Sequence, residues 1–130
     1  MSVESDLKAR LVADATVNGL IAGRCYPGVL PQSPSYPALT FFRVSATRLY
    51  NFRGTASRVT ARFQIDCWAA THIQARALAD AVRASLHAIV GTMGSTSIGY
   101  VRLDNELDVY EDAVKEFRVI LDFIIDYVET

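Results

Sequence analysis

The chain has 130 residues, 51% of them hydrophobic and 21% charged, with a formal net charge of −1. That length and apolar content suit one globular domain over residues 1–130 with a full core. No apolar run reaches the roughly 20 residues of a membrane helix, and the opening MSVESDLKARLVADA has early acids and no apolar stretch, so neither a membrane span nor a signal peptide is expected.

The small net charge conceals an uneven distribution. Residues 15–65 hold no acid and six arginines: Arg24, Arg43, Arg48, Arg53, Arg58 and Arg62. From Asp66 onward eleven acids face five bases, a net of −6 (5 − 11). Two readings stand side by side. The halves pair inside one molecule, or they give neighbouring copies complementary surfaces.

In chain order, Val3, Leu7 and Leu11 recur at helical spacing, which predicts a first helix over residues 2–17 stopped by Asn18-Gly19. Residues 20–24 read as a turn, and Arg24-Cys25-Tyr26 as a short strand. Four prolines between Pro27 and Pro37 then remove amide donors and favour an extended surface loop. Residues 38–46, ALTFFRVSA, are rich in aromatic and β-branched residues and predict a strand. Residues 47–57 follow as a hairpin tip, both aromatic and basic through Arg48, Tyr50, Phe52 and Arg53. Such interleaving suits single-stranded nucleic acid, but Tyr and Arg also anchor protein interfaces, and the protein contact is the stronger reading.

Residues 58–89 form the organising stretch. Val59, Ala61, Phe63, Ile65 and Cys67 alternate with Thr60, Arg62, Gln64 and Asp66, the period of a strand with one buried face. After a short linker, Trp68-Ala69-Ala70, the period becomes helical. Ala75, Leu78, Val82, Leu86 and Ile89 form one stripe. Thr71 with Gln74 makes a capping box, and Gly91 is placed to end the helix. Residues 92–95 read as a loop and residues 96–103 as a strand. The acidic run 104–112, DNELDVYED, reads as a loop or a frayed strand. Residues 116–128 close the chain as a long strand with apolar residues on both faces, the pattern of a central strand or of one covered by a partner.

The chemistry-bearing residues do not form a reactive set. His72 and His87 share one helix but lie fifteen residues apart, roughly 22 Å along its axis, too far to share a metal. His72 reads as a solvated cap-region residue. Cys25 and Cys67 are expected to be reduced thiols of a cytosolic chain, with Cys67 a small hydrophobe on its strand. The carboxylates of residues 104–112 invite a divalent cation, but EF-hand spacing fails there for want of a glycine bend and a full oxygen ladder. No nucleophile elbow, phosphate loop or zinc motif is present. An interaction protein without metal or cofactor is expected, not an enzyme.

Several blocks carry a likeness. LVADA followed by RCYPGVLPQ and PALTF, then VTARFQIDCWA running into ARALADAVRASL, and finally DNELDVYED followed by FRVILDFIIDY resemble the tail-completion or tail-terminator proteins of long-tailed bacteriophages and prophages. The likeness covers nearly the whole chain, and its most specific part is QIDCWA leading into the alanine-rich helix. It implies an α+β domain in which two helices pack on one face of an antiparallel sheet of four to five strands, in the order α-β-β-β-α-β-β. It also implies a virion protein of the head–tail junction, assembled in the bacterial cytoplasm. Such proteins form rings, usually hexamers, on the end of the tail tube; they stop its polymerisation and present a surface to the head connector. The implied partners are further copies of the chain, the tail tube protein and the connector or neck proteins, with the DNA path close by and no membrane. The family has no catalytic residues to carry over.

A ring needs heterologous contacts, one surface meeting a different one. The candidate interface therefore joins the basic hairpin (Arg48, Tyr50, Phe52, Arg53, Arg58) to the neighbour's acidic run (Asp104, Glu106, Asp108, Glu111, Asp112). The alternative is a neck or head-completion protein whose arginines face the DNA.

Overall fold

Alternation dictates the centre of the molecule. In a computed structural model describing residues 3–32, 34–49, 58–113 and 115–128, β3 (Arg58–Ala69) buries Val59, Ala61, Phe63, Ile65 and Cys67 on a single face. β3 pairs antiparallel with β2 (Ala38–Leu49) on one side and with β6 (Glu116–Val128) on the other. β6 is central, as its two apolar faces require. Val119, Leu121, Phe123, Ile125 and Tyr127 enter the core, while Ile124 on the opposite face is still only 7% exposed. Outside β6 lies β5 (Thr96–Glu111), antiparallel to it.

The edges depart from expectation. β1 (Cys25–Pro27) adds to β2 in parallel, and β4 (Thr92–Met93) pairs with the start of β5. The sheet thus has six strands, in the order β1-β2-β3-β6-β5-β4, rather than four or five, and it is not wholly antiparallel. β1 lies where Arg24-Cys25-Tyr26 predicts a short strand, but its parallel pairing was not expected; β4 falls in the predicted loop 92–95 and, at two residues, is too short to leave a two-residue period in the sequence. The acidic run is neither loop nor frayed end. It pairs with β6 as far as Glu111 opposite Glu116.

Three described helices pack on one face of the sheet, where two were expected. The predicted first helix is divided by Asp14, whose extended backbone breaks α1 (Val3–Ala13) while its carboxylate accepts the amides of Thr16 and Val17 to start α2 (Ala15–Ile21). α2 runs through Asn18-Gly19. It stops at Ala22, in the left-handed region with φ of 50°, followed by Gly23 at φ of 80°. α3 (His72–His87) is capped by Thr71, whose hydroxyl accepts the Gln74 amide at 3.2 Å. It ends at Ala88, earlier than Gly91 predicts. Trp68 and Ala69 belong to β3, so the turn into α3 is tighter than the expected linker. Leu78, Val82 and Leu86 of α3 meet Phe63, Leu121 and Phe123 of the sheet in one core, joined by Leu7 and Leu11 of α1 and Ile21 of α2. Each such side chain contributes about 1.5–3 kcal/mol through burial.

Candidate subunit interface

Register decides which charges meet. On the helix-free face Ser45, Arg62, Ile124 and Arg102 lie on one row across β2, β3, β6 and β5. Arg62 reaches Asp104 at 2.8 Å and Asp122 at 3.9 Å, and Arg102 reaches Asp104 at 2.9 Å. These guanidinium hydrogen bonds, Arg62 foremost, hold the Asp104 carboxyl below the usual range. One end of the row system carries Arg58, bonded to Asp126 at 3.1 Å. The Arg58 guanidinium occupies space that Gly99 leaves open, since a Cβ there would lie 2.2 Å from it.

On the helix face the acids of β5 meet α3. Arg76 contacts Glu106 at 3.4 Å and Asp108 at 3.2 Å. His72 sits 2.8 Å from Asp108, and this hydrogen bond is the leading cause that keeps the Asp108 carboxyl below its ordinary value. His72 is therefore a partner of the acidic strand as well as a cap-region residue. Its ring also packs edge-on to Phe117, which in turn stacks against Tyr110 with centroids 4.9 Å apart.

Of the candidate interface residues, Arg48 and Arg58 stand at the base of the β2–β3 hairpin, near the start of β5, while Asp104, Glu106, Asp108 and Glu111 follow along β5 toward its far end, with Asp112 in the turn beyond. Tyr50, Phe52 and Arg53 fall outside the described residues. Of the described residues, Arg48 and Arg58 lie toward the β2 side of the sheet and the acidic ones on its β5 side, so these residues of one chain do not come together in a single site. Part of the charge asymmetry is met within the chain, through Arg58–Asp126, Arg62–Asp104 and Arg43, which donates to the Tyr127 hydroxyl and lies 3.8 Å from Glu4.

Sequence reasoning did not find a second polar cluster. The loop after β1 leans over the helix-free face and, with β2, β3 and β6, forms a cleft of about 450 Å³ lined by Val29, Phe42, Thr40, Asp66, Trp68 and Arg118. Arg118 stacks 5.1 Å from the Trp68 ring centre, and it contacts Glu111 and, at 3.6 Å, Asp66. Trp68 donates to Thr40, and Gln64 to Asp66. Burial raises the Asp66 carboxyl above its usual range. The outward parity of Asp66 and Arg118 was visible in the sequence, but their adjacency needed the register of β3 against β6. These side chains engage one another, although the buried Arg118 Nε has no hydrogen-bond partner.

Neither cysteine is poised for reaction. Burial pushes the Cys25 thiol up to about 11 and the Cys67 thiol well above its ordinary value, so both stay protonated and poorly nucleophilic at neutral pH. Among the described residues no group of three or more His, Cys, Asp or Glu is placed to hold a metal ion, and no helix is long and apolar enough to cross a membrane.

Residues 5–127 match the family described as Tail completion protein gp17. The chain belongs to this tail-completion family. No curated protein matches the chain by sequence. Among solved structures it is similar to a chain from the virion of a native gene transfer agent particle, at 17% identity and a TM-score of 0.79, covering 98% of this chain and 95% of the other. At that identity the likeness speaks for the fold. As a member of a tail-completion family the protein is a structural virion component of the tail at its junction with the head.

Proposed function

We propose that this tail-completion protein caps the tail tube as a ring of identical subunits, hexameric by family resemblance, ending tube polymerisation and joining the tail to the head connector. Family membership over residues 5–127 is the observation that carries this reading. The placement of charge supports it: basic residues toward one side of the sheet and acidic residues on the other suit the head-to-tail contacts of a ring. In that contact the hairpin residues Arg48, Tyr50, Phe52, Arg53 and Arg58 of one copy face Asp104, Glu106, Asp108, Glu111 and Asp112 of the next.

Electron microscopy of the purified protein, alone and mixed with tail tubes, is expected to show rings seated on tube ends. Tubes that keep growing with bare ends would overturn the proposal. Reversing Arg48 and Arg53 to Glu is expected to shift the assembly toward monomer in size-exclusion chromatography with light scattering. An unchanged oligomer would remove the hairpin from the interface.

The rival role, a neck or head-completion protein lining the DNA path, draws on the arginines of the helix-free face. Arg58, Arg62 and Arg102 are each bonded to a carboxylate, which lowers the charge available to phosphates. Tight DNA binding that falls steeply with salt would favour the rival.

A further inference from the structure

The cleft beside Trp68 holds a carboxylate that is short of counter-charge. Asp66 lines it from β3 and is only 6% exposed. Its hydrogen bonds come from the neutral amide of Gln64, at 3.0 and 3.3 Å. Among the described residues the cation paired with it is Arg118, 3.6 Å away, and Glu111 of β5 holds that guanidinium more closely. A buried carboxylate is costly unless a cation and hydrogen bonds offset the loss of water. At Asp66 burial prevails, and the carboxyl is raised above its ordinary value of 3.8. Asp66 and Glu111 set against Arg118 leave one negative charge in excess (1 − 2 = −1). Asp122, opposite Gln64 on β6, adds another acid nearby and lies 3.9 Å from Arg62. Around this charge the surface is apolar. Val29 is 79% exposed and Phe42 41%, with Trp68 on the same cleft. Along the row of Asp66, Ile120 and Leu107 carry that surface across β6 and β5, and Leu107 is 53% exposed.

We infer that this cleft receives an arginine, set in an apolar segment of a different virion protein, with its guanidinium on Asp66 and its stem against Val29 and Phe42. The excess negative charge selects a cation and turns away phosphates and carboxylates. The apolar rim selects one carried on a hydrocarbon stem, since long basic side chains bury their methylenes along apolar surface. Arginine fits better than lysine. Its planar fork matches the two oxygens of a carboxylate, it lies against aromatic rings, and it sheds water more readily than a compact ammonium. Such an arginine, enclosed by apolar residues, is the kind of anchor that dominates protein interfaces. The assignment to a different protein rests on the ring reading above: there the β2 side of one copy meets the β5 side of the next, whereas the cleft opens on the helix-free face over β2, β3 and β6. That contact leaves the cleft to another chain.

Trp68 is the single tryptophan of the chain, so its fluorescence reports on the cleft. The probes are the capped peptide Leu-Arg-Leu and its citrulline counterpart, which keeps the shape of arginine and lacks the charge. Titrated into the purified protein, the arginine peptide should bind about tenfold or more tightly than the citrulline peptide. Asp66→Asn should erase that preference while keeping the native circular dichroism and oligomeric state. Phe42→Ala, at a half-exposed position, should weaken both peptides alike. Equal affinities for the wild-type protein, a preference that survives Asp66→Asn, or no binding of either peptide would overturn the arginine site. Benzoylphenylalanine in place of Val29 then identifies the occupant in assembled particles. Ultraviolet crosslinks should fall on another protein, close to an arginine. Crosslinks confined to copies of this chain, or none at all, would overturn the assignment to a different protein. The peptide titration needs no ring, so its failure is distinct from a failure of the tail-capping role, which tube-end binding reads.

Discussion

Asp6 ties the first helix to the far edge of the sheet. Only 2% exposed, it accepts hydrogen bonds from the hydroxyls of Ser95 (3.1 Å) and Thr96 at the β4–β5 turn. The Thr96 hydroxyl is the leading cause that lowers the Asp6 carboxyl below its ordinary value of 3.8. A carboxyl depressed in the folded state stabilises the protein above the unfolded value, and that contribution fades as pH falls through the folded one. Asp6→Asn is thus expected to cost on the order of 1–3 kcal/mol at neutral pH, and the gap from wild type should narrow below pH 3.8. Urea unfolding at several pH values checks both. Gly94 completes the same contact. Its φ is +61°, and a Cβ there would sit 2.5 Å from the Asp6 carboxylate. Gly94→Ala should therefore destabilise by about 1–3 kcal/mol in thermal melts.

At the scale of elements, glycines and caps are read by their surroundings. Gly19 lies inside α2 with no atom within 4 Å of its would-be Cβ, so Gly19→Ala should stabilise by about 0.5–1 kcal/mol. A loss of stability would mean that the residue does act as a helix stop. Asp14 is the true boundary, since its carboxylate holds two amides of the next helix. Asp14→Ala should cost about 1 kcal/mol in chemical denaturation. The sequence suggested the opposite assignment because Asn-Gly is the stronger stop signal in isolation, whereas a mid-run Asp reads as a solvent-facing position. β5 shows the same limit. Its acids look like a loop to a hydropathy pattern, yet Arg76, His72 and Arg62, all distant in sequence, and Arg118 across the β5–β6 turn offset their charge along the strand.

For the whole molecule, the proposed ring, with basic residues on the β2 side of one copy facing the β5 acids of the next, is expected to be sensitive to ionic strength. With a screening length of about 10 Å at 0.1 M salt, association should weaken as salt rises toward 1 M, seen as a falling mean mass in light scattering. Mass unchanged across that range would remove charge pairing between Arg48 and the β5 acids from the proposed contact. The buried core should be indifferent to salt, because Phe63 and Phe123 are fully enclosed.

By itself the sequence determined the central elements and the family. Two-residue alternation in residues 58–67 and 116–128 and a helical stripe from Ala75 to Leu86 each describe one face of one element, and local period is enough to read them. The blocks around QIDCWA carried the likeness that residues 5–127 match. Only the tertiary structure decided the break at Asp14, the parallel pairing of β1, the short strand β4, and the pairing of Arg62 with Asp104 and of Arg118 with Asp66. The reason is register. Which strands neighbour one another, and at what offset, depends on contacts between residues far apart in the chain, and no local pattern records them.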